Sequence, residues 1–294
     1  MLALLAAAVI LSQLLRESSD WVVEQPISVV RTGTLEERSA EMSGITASRL
    51  PGRFWSILDS GNPASVLAVD STGRVEAVLA LRGAENVDWE AVSTGPCGTG
   101  RCIYVADIGD NRARRTAVTL YRATEPDALT AGDSSDLPAE ALHFRYPDGP
   151  RDAEALIVTP AGDAIIISKG IASTVGAYRV PAAAWASRDT VTAEPMGALA
   201  IDPRSAIGRW VTDAALAPDG VRVVIRTYRD VFFFSAAGGT LRPGNPATLC
   251  DISGHEGQGE GIAWASDSTL LLASESGRGA PGTIHHVKCP SAIP

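Results

Sequence analysis

Five times along the chain an apolar strand opens on a polar residue followed by a small one, makes a tight turn, and is followed by a second strongly apolar strand. The copies open on Ser43-Gly44-Ile45, Glu90-Ala91-Val92, Glu154-Ala155-Leu156, Thr212-Asp213-Ala214 and Glu260-Gly261-Ile262. Subtracting these positions gives spacings of 47, 64, 58 and 48 residues. The second strands fall at 54–58, 102–106, 164–167, 221–225 and 270–273, with Pro-Ala-Gly-Asp and Pro-Asp-Gly turns before the third and fourth of them. Third strands follow at 65–69, 118–121, 175–180, 231–234 and 283–287, and fourth strands at 75–81, 142–146, 191–196 and 247–251. Four strands per unit at this spacing, with little helix, predict an all-β chain folded as a five-bladed β-propeller. The fifth copy runs out after three strands. Residues 27–32 supply its missing outer strand, so the N-terminal strand closes the ring and removes the exposed edges. A sixth blade would need strands within 126–138, where Asp, Ser, Gly, Thr and Ala dominate and a loop is expected. A pair of β-sandwiches would not repeat one strand signature five times.

No low-complexity linker divides the chain, so residues 21–294 are expected to form one domain. Ahead of it, residues 2–11 (LALLAAAVIL) are apolar over the length of a signal-peptide core, although no basic start or clear small-x-small cleavage site accompanies them. Residues 1–20 are therefore expected to be a signal peptide or short membrane anchor, the membrane is touched only through this segment, and the protein is placed outside the cytoplasm, periplasmic or secreted. Four cysteines fit that compartment: Cys97 with Cys102 and Cys250 with Cys289 are expected to be disulfides. Zinc is the weaker reading, because C-x4-C is a poor zinc spacing and His143, His255, His285 and His286 are not spaced as ligands.

The net charge of −9 excludes a nucleic-acid backbone as the main partner. Much of the acidity is patterned. Two residues before the opening positions stand Glu41, Asp88, Asp152, Trp210 and Gln258. Residues i and i−2 of a strand share a face, and the innermost strand of a propeller blade lines the channel. Glu41, Asp88, Glu90, Asp152, Glu154 and Glu260 are thus expected to converge on one end of the channel. Carboxylates so crowded stay ionised only around a cation, or else protonate, and hard oxygen ligands suit calcium or magnesium. The second strands end in Asp59-Ser60-Gly61-Asn62 and Asp107-Ile108-Gly109-Asp110-Asn111, with Lys169, Arg226 and Tyr228, and Glu275 at the equivalent places later. An Asp/Asn half facing a Lys/Arg half can hold a cation beside an anionic group. No G-x-S-x-G elbow, Walker loop or dinucleotide fingerprint is present. Trp55, Trp89, Trp210 and Trp264 read as packing between blades, with a sugar-stacking role for Trp89 or Trp210 the lesser alternative.

The segments EMSGI at 41–45, DWEAV at 88–92, VADIGDN at 105–111, DAEAL at 152–156 and GEGIAW at 259–264 resemble those of bacterial exported propellers of the esterase-like phytase type, across 43–277. The resemblance implies an extracytoplasmic propeller with calcium-binding inner strands and ester or phosphoester hydrolysis. By position, Glu90, Asp107, Asp110, Asp152, Glu154 and Glu260 would carry over as its acidic ring.

Together these readings predict a divalent cation, calcium the expected one, held by Asp88, Glu90, Asp107, Asp110, Asp152, Glu154 and Glu260. Glu90, Glu154 or Glu260 is expected to act as base, with Lys169 and Arg226 stabilising developing negative charge on a small-molecule or oligosaccharide substrate. The chain is expected to be a monomer. A glycoside hydrolase using two channel carboxylates is the enzymatic alternative, and a non-catalytic binding or scaffold propeller is the third reading.

Overall fold

A computed structural model describes residues 21–171, 174–202, 208–277 and 280–292 of the chain. It is a β-propeller. The described strands sort into five antiparallel groups of four. The first is Met42–Ala47, Arg53–Leu58, Ser65–Asp70 and Val75–Arg82, and the second is Trp89–Cys97, Gly100–Asp107, Val118–Thr124 and Asp136–Arg145. The third is Ala153–Val158, Ala164–Ser168, Gly176–Val180 and Glu194–Ala198, and the fourth is Val211–Leu216, Arg222–Thr227, Asp230–Ser235 and Thr248–Asp251. In the fifth, Gln258–Ser266, Thr269–Glu275 and Thr283–Lys288 are completed by Ser28–Thr34, which pairs antiparallel with Thr283–Lys288 as the ring closure requires. The expected signal or anchor segment lies outside the described residues, and no described helix is long and apolar enough to cross a membrane.

Each group buries apolar side chains against its two neighbours. Trp55, Leu79, Trp89 and Val105 fill the seam between the first and second groups, and Tyr104, Phe144, Leu156 and Ile166 the next. Ile167, Ile225 and Phe232 occupy the third seam, Val224, Trp264 and Leu272 the fourth, while Met42, Phe54, Leu271 and Ile284 close the circle. Period-two alternation makes this possible, since one strand sends successive residues into opposite seams.

Both expected disulfides form. Cys97–Cys102 clips the turn between the first two strands of the second blade, and Cys250–Cys289 ties the outer strand of the fourth blade to the chain after the fifth. Three details differ from the sequence reading. The stretch 126–138 is not all loop: Asp136–Pro138 pairs parallel with Ala80–Arg82 and joins the first two blades into one sheet. Main-chain pairing makes the junction, and Leu137 packs against the core between the two blades. The strand expected at 191–196 is split, Val191–Thr192 pairing with the second blade and Glu194–Ala198 with the third. Val22–Glu24 adds a parallel strand outside the fourth blade.

Candidate functional site

Every innermost strand carries a β-bulge, and in every blade the bulge falls on the residue that opens the repeat. Pairing skips from Met42 to Gly44, Trp89 to Ala91, Ala153 to Ala155, Val211 to Asp213 and Gly259 to Gly261. Ser43, Glu90, Glu154, Thr212 and Glu260 are therefore the extra residues, and a bulge re-aims the side chain it releases from the ladder. In the second blade Trp89 packs toward the first blade and Ala91 toward the third, leaving Glu90 between them. Ser43, Glu90, Glu154 and Glu260 line one cavity of about 140 Å³.

Around them stand Asp59, Asp88 and Glu275, with Asn111, Tyr228 and Gln258, and Lys169 is the one lining cation among the described residues. The Lys169 ammonium lies 2.5 Å from Glu154 and 3.7 Å from Asp152. Ser43 donates a hydrogen bond to Glu90 at 3.3 Å. Tyr228 and Gln258 donate to Glu260 at 3.3 and 3.1 Å, and Gln258 also donates to Glu275. Gly109 allows the Asp107–Asn111 loop to pass over this cluster, because a Cβ there would sit 2.5 Å from both the Asp88 carboxyl and Glu90.

Crowding and burial act on the carboxyl groups together. Burial, then the charges of Asp59 and Asp152, pushes Asp88 up to about 6. Burial pushes Glu154 up to about 8 against the pull of Lys169, with Asp152 and Glu260 adding to the rise. Glu275 is pushed up to about 7 by burial and by Glu260. Glu90 rises well above the ordinary range through burial and the neighbouring Glu154, and Glu260 rises through burial. Burial would lower Lys169, but Glu154 and Asp152 outweigh it and hold the ammonium protonated.

Two groups bring three carboxylate oxygens within 4.8 Å of one another: Asp59, Asp88 and Glu90, and Glu90, Asp152 and Glu154. Asp152 Oδ2 is buried and accepts no hydrogen bond. An all-oxygen donor set, in which one buried carboxylate oxygen accepts no hydrogen bond and faces the Lys169 ammonium at 3.7 Å, fits a hard divalent cation.

The structure thus gathers Asp88, Glu90, Asp152, Glu154, Glu260 and Lys169 of the predicted site. Three predicted members are spent elsewhere. Asp107 pairs with Arg115 at 2.6 Å and accepts the backbone N–H groups of Val87 and Asp88. Asp110 accepts the Arg115 backbone N–H at 2.7 Å, and its own N–H donates to Asp152 at 2.8 Å, so it orients that carboxylate. Arg226 is fully buried between the fourth and fifth blades, pairing with Glu256 at 2.5 Å and donating to the Gly261 and Ala273 carbonyls. Glu41, expected in the ring, accepts from Asn62. Trp89 is buried with its indole N–H on the Glu85 carbonyl, leaving no face for a sugar. Asp59 belongs to the Asp/Asn half that the sequence sets at the channel mouth, but it is not among the seven residues expected to hold the cation; the structure puts it with Asp88 and Glu90. Its equivalence to Asp107 at the end of a second strand is the signal for it, and of the two only Asp59 lines the cavity, because Arg115 engages Asp107.

No family model matches the chain, and no curated protein matches it. Among solved structures it is similar to the PQQ-bound aldose sugar dehydrogenase of Streptomyces coelicolor at 11% identity, over 89% of this chain and 98% of that one, with a TM-score of 0.52. It is also similar to a gluconolactonase from Xanthomonas campestris, at 14% identity over 92% and 89% with a TM-score of 0.46. A streptogramin B lyase follows at 10% identity over 89% and 98%, with a TM-score of 0.44. At such identities the likeness concerns the fold alone, and the first of the three supports the propeller architecture.

Proposed function

We propose that the chain is an extracytoplasmic hydrolase of esters or phosphoesters whose acidic channel mouth holds a divalent cation, calcium by preference. The observation that carries this reading is the convergence of Glu90, Glu154 and Glu260, each released by a bulge, on a cavity with six lining carboxylates and one lysine. Structural carboxylates are normally spread out or individually paired. Here burial and mutual repulsion raise Asp88, Glu154 and Glu275, which a resident cation would offset. The motif resemblance to esterase-like phytase propellers supports the reaction class, and the two disulfides support an oxidising compartment.

Asp59, Asp88 and Glu90, or Glu90, Asp152 and Glu154, would hold the ion, which when bound would supply Lewis acidity at the substrate oxygen. Lys169 places a fixed positive charge where negative charge develops on the substrate. Glu260, oriented by Tyr228 and Gln258 and pushed above the ordinary carboxylate range by burial, would be the group that moves a proton. Asp110 fixes the direction of Asp152 through its N–H.

The test is calorimetric titration of the chelated protein with calcium, alongside hydrolysis of 4-nitrophenyl acetate and 4-nitrophenyl phosphate with and without chelator. Calcium is expected to bind, to raise the melting temperature and to be required for turnover of one of the two. Glu154→Gln keeps the side-chain shape and is expected to abolish both responses. Chelator-independent melting together with no turnover of either compound would reject the reading in favour of a non-catalytic propeller.

A further inference from the structure

The acidic mouth is lopsided. Two residues before the bulge the first three blades place Glu41, Asp88 and Asp152, and the fifth Gln258, but the fourth places Trp210, followed by Thr212 at the bulge itself. Trp210 is 40% exposed, whereas Trp55, Trp89 and Trp264 are buried in seams. Its ring stands edge-on to Tyr228, with centroids 6.5 Å apart, and Tyr228 lines the carboxylate cavity and binds Glu260. The adjacent Val211 N–H donates to the Lys169 carbonyl, so Trp210 stands at the join with the third blade.

Next to that join a second cavity of about 310 Å³ runs along Gly170 and Ile171. It shares Asn111 with the carboxylate cavity. Its other polar groups include Asp110, Arg151, Asp152 and Ser168, and Arg151 Nε is buried without a hydrogen-bond partner. A volume of roughly 300 Å³ is the lower end of small-ligand pockets.

We infer that this mouth binds a neutral, polyhydroxylated ring, with Trp210 as the platform for its C–H face and the cavity of Asp110, Asn111, Arg151 and Asp152 taking its hydroxyl edge. Planar carboxylate, amide and guanidinium groups accept from and donate to neighbouring hydroxyls. An exposed aromatic ring at the neighbouring join between the third and fourth blades, edge-on to Tyr228, suits a molecule with one apolar face and one wet edge. The balance of charge disfavours the anionic counterpart: even beside a divalent cation, Asp59, Asp88, Glu90, Glu154, Glu260 and Glu275 line one cavity and Asp110 and Asp152 the other, against Lys169 and Arg151. Lys169 is engaged by Glu154, and Arg151 by Asp148 at 2.6 Å. The inference rests on this mouth being the substrate face and narrows the substrate to an ester or lactone of such a ring.

The experiment is equilibrium titration of the full chain, in calcium, with D-glucose, D-xylose and methyl β-D-glucoside, and with glucose 6-phosphate and gluconate as anionic counterparts, read by tryptophan fluorescence and calorimetry. At least one neutral sugar is expected to bind, and the anions about tenfold more weakly or worse. Trp210→Ala is expected to weaken sugar binding about tenfold while Trp210→Phe retains most of it, with melting and calcium affinity unchanged in both. Failure of every neutral sugar to bind, equal or tighter binding of the anions, or indifference to Trp210→Ala would each overturn the inference. Calcium affinity is measured separately in the unchanged chain, so loss of the cation reading and loss of the ring reading are told apart.

Discussion

The Arg226 guanidinium meets the Glu256 carboxylate at 2.5 Å, both side chains buried, in the seam between the fourth and fifth blades. Arg226 also donates to two carbonyls of the fifth blade. It is thus a tie between blades, and its expected effect when removed is on stability. Arg226→Met leaves the Glu256 charge buried and unpaired, which costs about 3–5 kcal/mol. Urea unfolding of the variant measures this. Calcium affinity of the folded variant is expected to be unchanged, and a large loss of affinity at unaltered stability would return Arg226 to the site.

The raised carboxyl groups predict a stability that depends on pH with an unusual sign. Asp88, Glu275 and Glu154 are pushed to about 6, 7 and 8, above their unfolded values. The native state then binds more protons than the unfolded state, so their contribution is present at low pH and lost as pH rises toward those values. Burial acts oppositely on His285, lowering it to about 4, so its contribution is lost as pH falls below its ordinary value of 6.5. From roughly pH 6.5 to 8 the carboxyl groups alone act, and the chelated protein is expected to lose melting temperature across that window. Saturating calcium is expected to flatten the slope. A slope identical with and without calcium would contradict a cation held by these groups.

Gly109 gives a local test of the crowding. Gly109→Ala places a methyl 2.5 Å from Asp88 and Glu90, so the loop or the carboxylates must shift. Calcium affinity is expected to fall by tenfold or more, since about 1.4 kcal/mol suffices for that change. The control Gly61→Ala, where a Cβ meets nothing within 4 Å, carries a positive φ of 83° and is expected to reduce stability without a comparable loss of affinity.

The disulfides differ in the chain they close. Cys250–Cys289 spans 39 residues and Cys97–Cys102 only 5. Loop entropy gives about 4 kcal/mol for the first and about 2 kcal/mol for the second. Paired Cys→Ala variants compared by urea unfolding are expected to show the long bridge costing about twice the short one.

These tests also show where sequence reading reaches and where it stops. The five openings and the closing strand before Leu35 were legible because they follow from period-two alternation and from repetition, and both cysteine pairs because an even count fits an oxidising compartment. The i, i−2 pattern brought Asp88 with Glu90 and Asp152 with Glu154 correctly, although a bulge lay between the ladder pairs. What could not be read was which acid meets which base. Asp107 is claimed by Arg115, eight positions on, and Arg226 by Glu256 from another blade. Such pairings depend on how far each side chain reaches in three dimensions, and residue types in a row do not carry that information. The pairing of Asp136–Pro138 is not legible because three residues are too few to show an alternation, although Leu137 packs against the core.

The bulge on each innermost strand separates chemistry from folding. Positions 43, 90, 154, 212 and 260 are passed over by the pairing of their own strands, while the residues on either side carry the ladder. A ring of five such sockets can be rewritten one socket at a time. Variation confined to the codons of Ser43, Glu90, Glu154 and Glu260, which line the cavity, would change its charge, size and hydrogen bonding while leaving the seams between blades alone, which makes the chain a natural starting scaffold for selecting new ligands at a fixed address.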